Sequence, residues 1–109
     1  MTQNIERIID DLVNEIKEQR SYQEYVKERE RVEGHQDVLD KIDEIRKLNL
    51  KLQSIQNSDQ AYDEQDRLEK RYDELSEDQR VFDFIEAENR FIGMYQEIYR
   101  LIMEEIELI

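Results

Sequence analysis

The sequence lacks cysteine, proline and tryptophan, and it contains only two glycines. Without cysteine, the chain forms no disulfide, no thiolate metal site and no thiol nucleophile. The scarcity of proline and glycine leaves little of the turn chemistry that a β-sheet needs. No apolar run approaches the roughly 20 residues that span a bilayer, and the N-terminus carries no signal-peptide pattern. We therefore expect a cytoplasmic protein that does not enter a membrane.

Basic residues are few, since 16 Lys and Arg stand against 29 Asp and Glu and give a formal net charge of −13. Proteins that grip nucleic acids use Lys and Arg to displace counterions from phosphates, and anionic membrane surfaces also attract basic segments. The acidic balance therefore argues against direct contact with nucleic acid and against docking on a membrane. A length of 109 residues predicts one domain that covers residues 1–109.

Apolar residues recur at helical spacing, which favours helices over the disorder that 41% charged residues would otherwise indicate. The first segment carries one amphipathic stripe, made of Ile5, Ile8, Ile9, Leu12, Val13 and Ile16. Ser21 and Glu24 form a capping-box pattern that predicts a second helix from Tyr22. Gly34 is a typical helix stop, because glycine accepts the left-handed conformation beyond a helix end.

A third helix is predicted from about Gln36 to Gln56, with Asn49 at one position of its apolar seam. The turn-forming residues 57–59 separate it from a fourth helix. The narrow seam of that helix consists of Ala61, Gln65, Leu68, Tyr72 and Leu75. A short connection makes neighbouring helices antiparallel. These two helices are therefore predicted to form a long, coiled-coil-like antiparallel hairpin.

Ser76 and Gln79 offer a further capping-box pattern before the last and most apolar segment. In the final turns of that segment, apolar residues occupy more than half of the helix circumference, which is more than one packing partner covers. The helix is therefore either central to the bundle or shared between subunits, and Gly93 in it fits a close crossing or a tolerated glycine. We assign a candidate interface to Phe91, Met94, Tyr95, Ile98, Tyr99, Ile102 and Ile106. The pattern as a whole predicts an all-α bundle of four to five helices with a long C-terminal helix.

Candidate catalytic and metal-binding residues are scarce despite the many carboxylates. His35 has no Glu three residues before it, so the Glu-x-x-His pairs of di-iron bundles are missing and we interpret it as a surface turn residue. Two acidic clusters have the residue types that hold Mg²⁺ in helical nucleotide pyrophosphohydrolases, but both are more typical of a solvated helix face. They are Asp37, Asp40, Asp43 and Glu44, and Glu104, Glu105 and Glu107. We therefore predict no catalytic residue, no metal, no cofactor and no small-molecule substrate.

The last helix also holds the most specific sequence pattern of the chain. It reads Phe-Ile-Glu-Ala-Glu-Asn-Arg-Phe from Phe84 to Phe91, followed by the apolar pair Met94-Tyr95 and a closing Leu101-Ile102. This pattern and the order of the elements resemble the YlbF/YmcA family of small all-helical bacterial regulators. The chain departs from that family in having no proline at the start of the last helix. It also has none of the cysteines that ligate iron–sulfur clusters in some members of the family's complex.

The resemblance implies a non-enzymatic regulator in the cytoplasm of Gram-positive bacteria. Family members influence competence, biofilm formation and sporulation, and some join a complex that adjusts messenger-RNA processing by an endoribonuclease. The resemblance also implies homo-oligomers, or hetero-oligomers with related helical proteins, formed through the helices. The alternatives are a generic helical adaptor and a Mg²⁺-dependent nucleotide pyrophosphohydrolase. A secreted hairpin of the WXG type is disfavoured, because residues 57–59 contain no Trp-x-Gly.

Overall fold

The computed structural model describes residues 1–55 and 59–107, and within these ranges it contains five helices and no strand. The helices are α1 (Gln3–Glu18), α2 (Arg20–Val32), α3 (Gln36–Ser54), α4 (Asp59–Ser76) and α5 (Gln79–Ile106). The predicted all-α fold is confirmed. Asn57 and Ser58 of the predicted turn, and Gln56 at the predicted end of the third helix, lie outside the described residues.

The core is formed by α3 together with the apolar sides of α2, α4 and the first half of α5. It consists of Val32, Val38, Ile42, Ile45, Leu48, Leu68, Leu75, Val81, Phe84 and Ile85. The α3 members recur at steps of three and four residues, so that one side of the helix is apolar along its length. No polar side chain is buried among the described residues. The core is therefore held by apolar burial alone, and charged groups stay at its edges.

Helices α3 and α4 form the predicted antiparallel hairpin. Leu68 and Leu75 of α4 are buried against the core, as the seam spacing predicts. Arg71, late in α4, makes two hydrogen bonds of 2.7 and 3.2 Å to the carboxylate of Glu44, which lies in the first half of α3. Asn49 is exposed, but it lies beside α4 as predicted, because it lines a shallow groove together with Leu52 of α3 and Tyr72 of α4. It therefore lies at the solvent-exposed edge of the seam, next to the buried Leu48.

Two predicted helix starts are each displaced by two residues. The helix is interrupted at Gln19, whose extended backbone separates α1 from α2. No side chain caps the start of α2, and Ser21 lies inside this helix. The Ser21 hydroxyl donates to the sulfur of Met94 at 3.3 Å, so a contact between helices has taken the place of the predicted cap. At the later junction Ser76 ends α4, and Asp78 caps α5. The predicted stop at Gly34 is confirmed, since this residue has a φ of 81° after α2.

Aromatic rings pack α2, in the N-terminal part of the chain, against α5, the last helix. Tyr25 stacks on Phe91 with ring centroids 5.4 Å apart, and Tyr22 approaches the same ring at 5.5 Å. Tyr25 also lies 5.9 Å from the ring of Phe84. Ion pairs flank these rings, because Arg31 contacts Asp83 at 2.9 Å and Arg90 contacts Glu24 at 3.1 Å. These contacts with α2 therefore fix the position of α5 at the start of its second half.

The molecule is flat and extended for its length. Its radius of gyration is 18.0 Å and its principal extents are 51 × 40 × 21 Å. A compact domain of this length has a radius of gyration of about 13 Å. The difference means that parts of the helices lie beyond the core and keep their apolar faces uncovered.

Asp78 connects the hairpin to α5 through several hydrogen bonds. One of its carboxylate oxygens accepts from the backbone N–H of Arg80 at 3.1 Å, and the other accepts from Lys41 Nζ at 3.1 Å. The Arg80 guanidinium donates to both oxygens. Hydrogen bonds from Arg80, and next from Lys41, lower the pKa of Asp78 to about 2. The carboxylate therefore caps α5 in its charged form.

The substitution Asp78→Asn is expected to lower the free energy of unfolding by about 1 kcal/mol at neutral pH, because the amide keeps a cap acceptor but loses the charge. The pKa of Asp78 is about 2 in the folded chain, against about 3.9 for an unfolded Asp. The charge therefore stabilises the fold above about pH 4, and this contribution disappears as the pH falls to about 2. Denaturant titrations at several pH values measure the difference between the two proteins.

The exposed neighbour Glu77 supplies the control, since it makes no ion pair with any described residue. Glu77→Gln is expected to change the free energy of unfolding by less than about 0.5 kcal/mol. A difference between wild type and Asp78→Asn that stays constant from pH 7 down to about pH 2 would contradict the role given to the charge.

Candidate interaction surface

Helix α5 has a buried first half and an exposed second half. Val81, Phe84, Ile85 and Ala87 are buried, whereas no residue after Ala87 is buried within the described part of the helix. Tyr99 and Ile102 lie about five helical turns beyond Val81 and Phe84, which places them on the same side of the helix. The core-facing side of α5 therefore continues past the core as an uncovered strip. We call it the α5 stripe, and it consists of Ile92, Tyr95, Tyr99, Ile102 and Ile106.

The seven predicted interface residues fall into two groups. Tyr95, Tyr99, Ile102 and Ile106 are exposed and belong to the α5 stripe, with Tyr95, Tyr99 and Ile106 each 59% exposed. Phe91, Met94 and Ile98 are half-buried, because they face other helices of the same chain. Phe91 packs on the tyrosines of α2, and the Met94 sulfur accepts a hydrogen bond from the Ser21 hydroxyl. The structure thus brings four of the seven onto one free face and turns three toward α1 and α2.

Helix α1 carries a second uncovered face that sequence reasoning had missed. None of its residues is buried. Its exposed apolar residues, which we call the α1 stripe, are Ile5, Ile8, Ile9, Leu12 and Val13. The spacing of these residues correctly predicts an amphipathic helix. Periodicity identifies an apolar face but does not say whether another element covers it, so the sequence held no signal for this exposure.

A shallow groove of about 260 Å³ lies between α1 and α5. Its walls are Leu12, Glu15, Ile16, Gln19, Met94 and Ile98. The groove follows the line along which α1 meets the second half of α5. The α1 stripe therefore borders, through Leu12, on the groove that Met94 and Ile98 line from the other side.

Ion pairs surround the core but do not extend to α1. They join α2, α3, α4 and α5 to one another or lie within them, as between Arg46 and Glu88 at 2.7 Å. In the second half of α5, Arg100 bonds to both Glu97 and Glu104, and its hydrogen bond lowers the pKa of Glu97. No charged side chain of α1 forms an ion pair with any residue that the structure describes. The carboxylates of α1 thus face solvent without a cationic partner from the described chain.

All four members of the first acidic cluster, and Glu104 of the second, contact other side chains of the chain. In the first cluster, Asp37 pairs with Arg80, Asp43 with Lys47 and Glu44 with Arg71. Asp40 accepts a hydrogen bond from Gln36 at 2.7 Å. In the second cluster, Glu104 pairs with Arg100. Across residues 1–55 and 59–107, no three His, Cys, Asp or Glu side chains come together in a way that could hold a metal ion.

The remaining residues singled out in the sequence are explained by local structure. His35 is exposed before α3, where its backbone oxygen accepts from Val38 and Leu39, so its interpretation as a surface turn residue is confirmed. A Cβ atom added at Gly93 would meet nothing within 4 Å, so this glycine does not mark a close crossing within the chain. No described helix is both long enough and apolar enough to cross a membrane.

Comparison with known proteins identifies one family. A family model described as "Control of competence regulator ComK, YlbF/YmcA" matches residues 5–107 of the 109-residue chain. The match covers α1 from Ile5 onward, the other four helices in full, and both uncovered stripes. No curated protein and no solved structure gives a significant match.

Proposed function

Because this chain belongs to the YlbF/YmcA family of competence-control regulators, we propose that it is a non-enzymatic regulator that acts through contacts between its helices and other proteins. The proposal includes a cytoplasmic location, and effects on competence, biofilm formation and sporulation through endoribonuclease-dependent processing of messenger RNA. With a net charge of −13, the chain reaches RNA through another protein rather than by direct contact.

The observation that carries the proposal is the exposure of the α5 stripe. Tyr and Ile side chains are costly to leave in water, and large contiguous apolar patches on a protein surface mark sites of interaction. Tyr95 and Tyr99 are rigid and amphipathic, which suits an interface that another helix covers. We propose that the α5 stripe joins this chain to copies of itself or to related helical proteins, with residues 1–109 acting as one interaction domain.

The substitution Tyr99→Glu tests the α5 stripe. The wild-type protein is expected to sediment as a dimer or larger assembly at micromolar concentration. The variant should associate at least about thirtyfold more weakly, because a charge replaces a central aromatic contact and anchors of this kind contribute about 2 kcal/mol or more. Helicity measured by circular dichroism should stay the same, since Tyr99 lies beyond the core.

Tyr62 offers a matched control, because it is 62% exposed on α4, away from the α5 stripe. Tyr62→Glu should leave the sedimentation of the protein unchanged. A wild-type protein that sediments as a monomer would overturn the assembly. If Tyr99→Glu loses helicity in parallel with association, Tyr99 acts as a core residue instead.

A second candidate function, a Mg²⁺-dependent nucleotide pyrophosphohydrolase, has less support. Its motivating carboxylates are the two acidic clusters described above. Three members of the first cluster, Asp37, Asp43 and Glu44, and Glu104 of the second form ion pairs within the chain. Incubation with nucleoside triphosphates and Mg²⁺ or Mn²⁺, followed by phosphate or pyrophosphate detection, decides between the two functions. Turnover that disappears in Asp40→Asn would favour the hydrolase. A third candidate, a generic helical adaptor, shares the predicted assembly and differs from the first in having no effect on messenger-RNA processing.

A further inference from the structure

We propose that the α1 stripe and the adjoining groove form a docking site for a cationic amphipathic helix of a partner protein. This inference rests on the proposed function in so far as both require protein contacts, but it concerns α1 and the groove beside it and not the residues of the α5 stripe. The α5 stripe and the α1 stripe have no residue in common, so the two sites are separable by mutation.

The apolar part of the site has the form of a helix-binding groove. Ile8 is 61% exposed and Ile5 is 48% exposed, so the α1 stripe presents large aliphatic side chains to solvent. Its C-terminal end leads to the groove between α1 and α5, where Leu12 faces Met94 and Ile98. An amphipathic helix binds such a surface by placing apolar residues at i, i+3, i+4 and i+7 along it. Helix α1 has 16 residues, which provides more than four turns of contact length.

Charge determines which kind of helix fits. Helix α1 contains five carboxylates and two basic residues. By the helical period, Glu6 and Asp10 lie along one edge of the α1 stripe, which also carries Lys17 in the last turn, and Asp11 and Glu15 lie along the other. None of these four carboxylates forms an ion pair with a described residue, although Arg and Lys elsewhere in the chain pair extensively. A partner helix with an apolar centre and Lys or Arg on both flanks would complement both edges.

The same charges disfavour the other occupants of this face. A second copy paired through the same face would bring the acidic edges of two α1 helices together. Like charges placed opposite one another weaken association and suppress such pairings. An anionic membrane surface attracts amphipathic helices whose polar face is basic, which is the reverse of α1. A cationic helix of another protein satisfies both the apolar stripe and its edges.

The test uses the 109-residue chain and a labelled synthetic peptide of about five helical turns. The peptide has Leu along one face of the helix and Lys at all remaining positions. A control peptide has Glu in place of each Lys. Fluorescence anisotropy should show binding of the Lys peptide and none of the Glu peptide. The binding should weaken at about 1 M salt, where the Debye length is about 3 Å, without disappearing, because the apolar contact remains.

Paired variants separate docking from general attraction to an acidic protein. Asp11→Lys with Glu15→Lys should weaken binding of the Lys peptide roughly tenfold, whereas the same charge change on α4, Asp63→Lys with Asp66→Lys, should change it less than about twofold. For the apolar contact, Leu12→Ala should weaken binding several-fold, and Leu50→Ala, which removes an exposed leucine of α3, should not. Circular dichroism checks that each variant keeps its helicity.

Three results would overturn the docking site. The first is equal binding of the Lys and Glu peptides, and the second is equal weakening by the α1 and α4 charge reversals. The third is a dimer that Leu12→Ala dissociates, since a second copy would then cover α1. Tyr99→Glu distinguishes this proposal from the proposed function, because it should weaken assembly at least about thirtyfold and leave peptide binding unchanged. If the wild-type protein is a monomer and still binds the Lys peptide at α1, only the assembly through the α5 stripe is refuted, and the docking site stands.

Discussion

Replacing Phe84 by alanine is expected to lower the free energy of unfolding by about 3–5 kcal/mol, the usual range for a large aromatic residue lost from a core. Phe84 is 4% exposed and lies where α2, α3 and α5 meet. Its ring approaches Tyr25 at 5.9 Å and the Arg46 guanidinium at 5.8 Å. The variant loses the buried surface and leaves a cavity that these neighbours only partly fill. Chemical denaturation followed by circular dichroism gives the value.

Phe82 provides the matched control, because it lies two residues earlier on the same helix and is 45% exposed. Phe82→Ala should lower the free energy of unfolding by less than about 1 kcal/mol, since nearly half of this residue is already exposed to water. Equal effects at the two positions would mean that α5 is rotated about its axis relative to the arrangement described above.

The second large effect is expected at Ile45, which is fully buried at the centre of α3. Ile45→Ala should lower the free energy of unfolding by about 2–5 kcal/mol, because it removes three methyl or methylene groups from a close-packed site. Ile45 belongs to the same core as the buried residues of α4 and α5, so the loss affects the hairpin and the long helix together. Denaturation at low protein concentration isolates the effect on the single chain.

The same substitution in α1, Ile8→Ala, is the control for Ile45. Ile8 is 61% exposed, and alanine has the higher helix propensity, so the change should be within about 0.5 kcal/mol. If Ile8→Ala destabilises the protein strongly and only at high concentration, then another copy covers the α1 stripe. That result would support assembly and would contradict the docking of a cationic helix on this face.

Much of the fold follows from the positions of apolar residues in the sequence. The stripe of α3, the seam residues Leu68 and Leu75, and the stop at Gly34 were predicted and are found. The helix starts at Ser21 and Ser76 were not predicted correctly. At the first junction α2 begins at Arg20 and the Ser21 hydroxyl donates to the sulfur of Met94, and at the second the carboxylate of Asp78 caps α5 in place of Ser76. Such partners come from distant parts of the chain or compete locally, and a capping pattern alone does not rank them.

The candidate surface was predictable in part. The excess of apolar residues in the last turns of α5 indicates that one neighbour is not enough to cover them, and Tyr95 and Tyr99 are indeed exposed. Their role in an interface stays a prediction. The stripes of α1 and α3 have the same kind of spacing, yet α3 is the centre of the core and α1 is uncovered. Which face is covered depends on the arrangement of helices in space, and helical spacing carries no information about that arrangement.

The flat shape of the molecule also has a thermodynamic consequence. The heat-capacity change of unfolding, and the denaturant slope with it, grow with the apolar area that folding removes from water. A chain with a radius of gyration of 18.0 Å removes less of that area than a compact chain of equal length. Its stability therefore varies gently with temperature, and its unfolding by denaturant is broad. A partner that covers either stripe increases the apolar area removed from water, so the complex unfolds over a narrower range of denaturant than the chain alone.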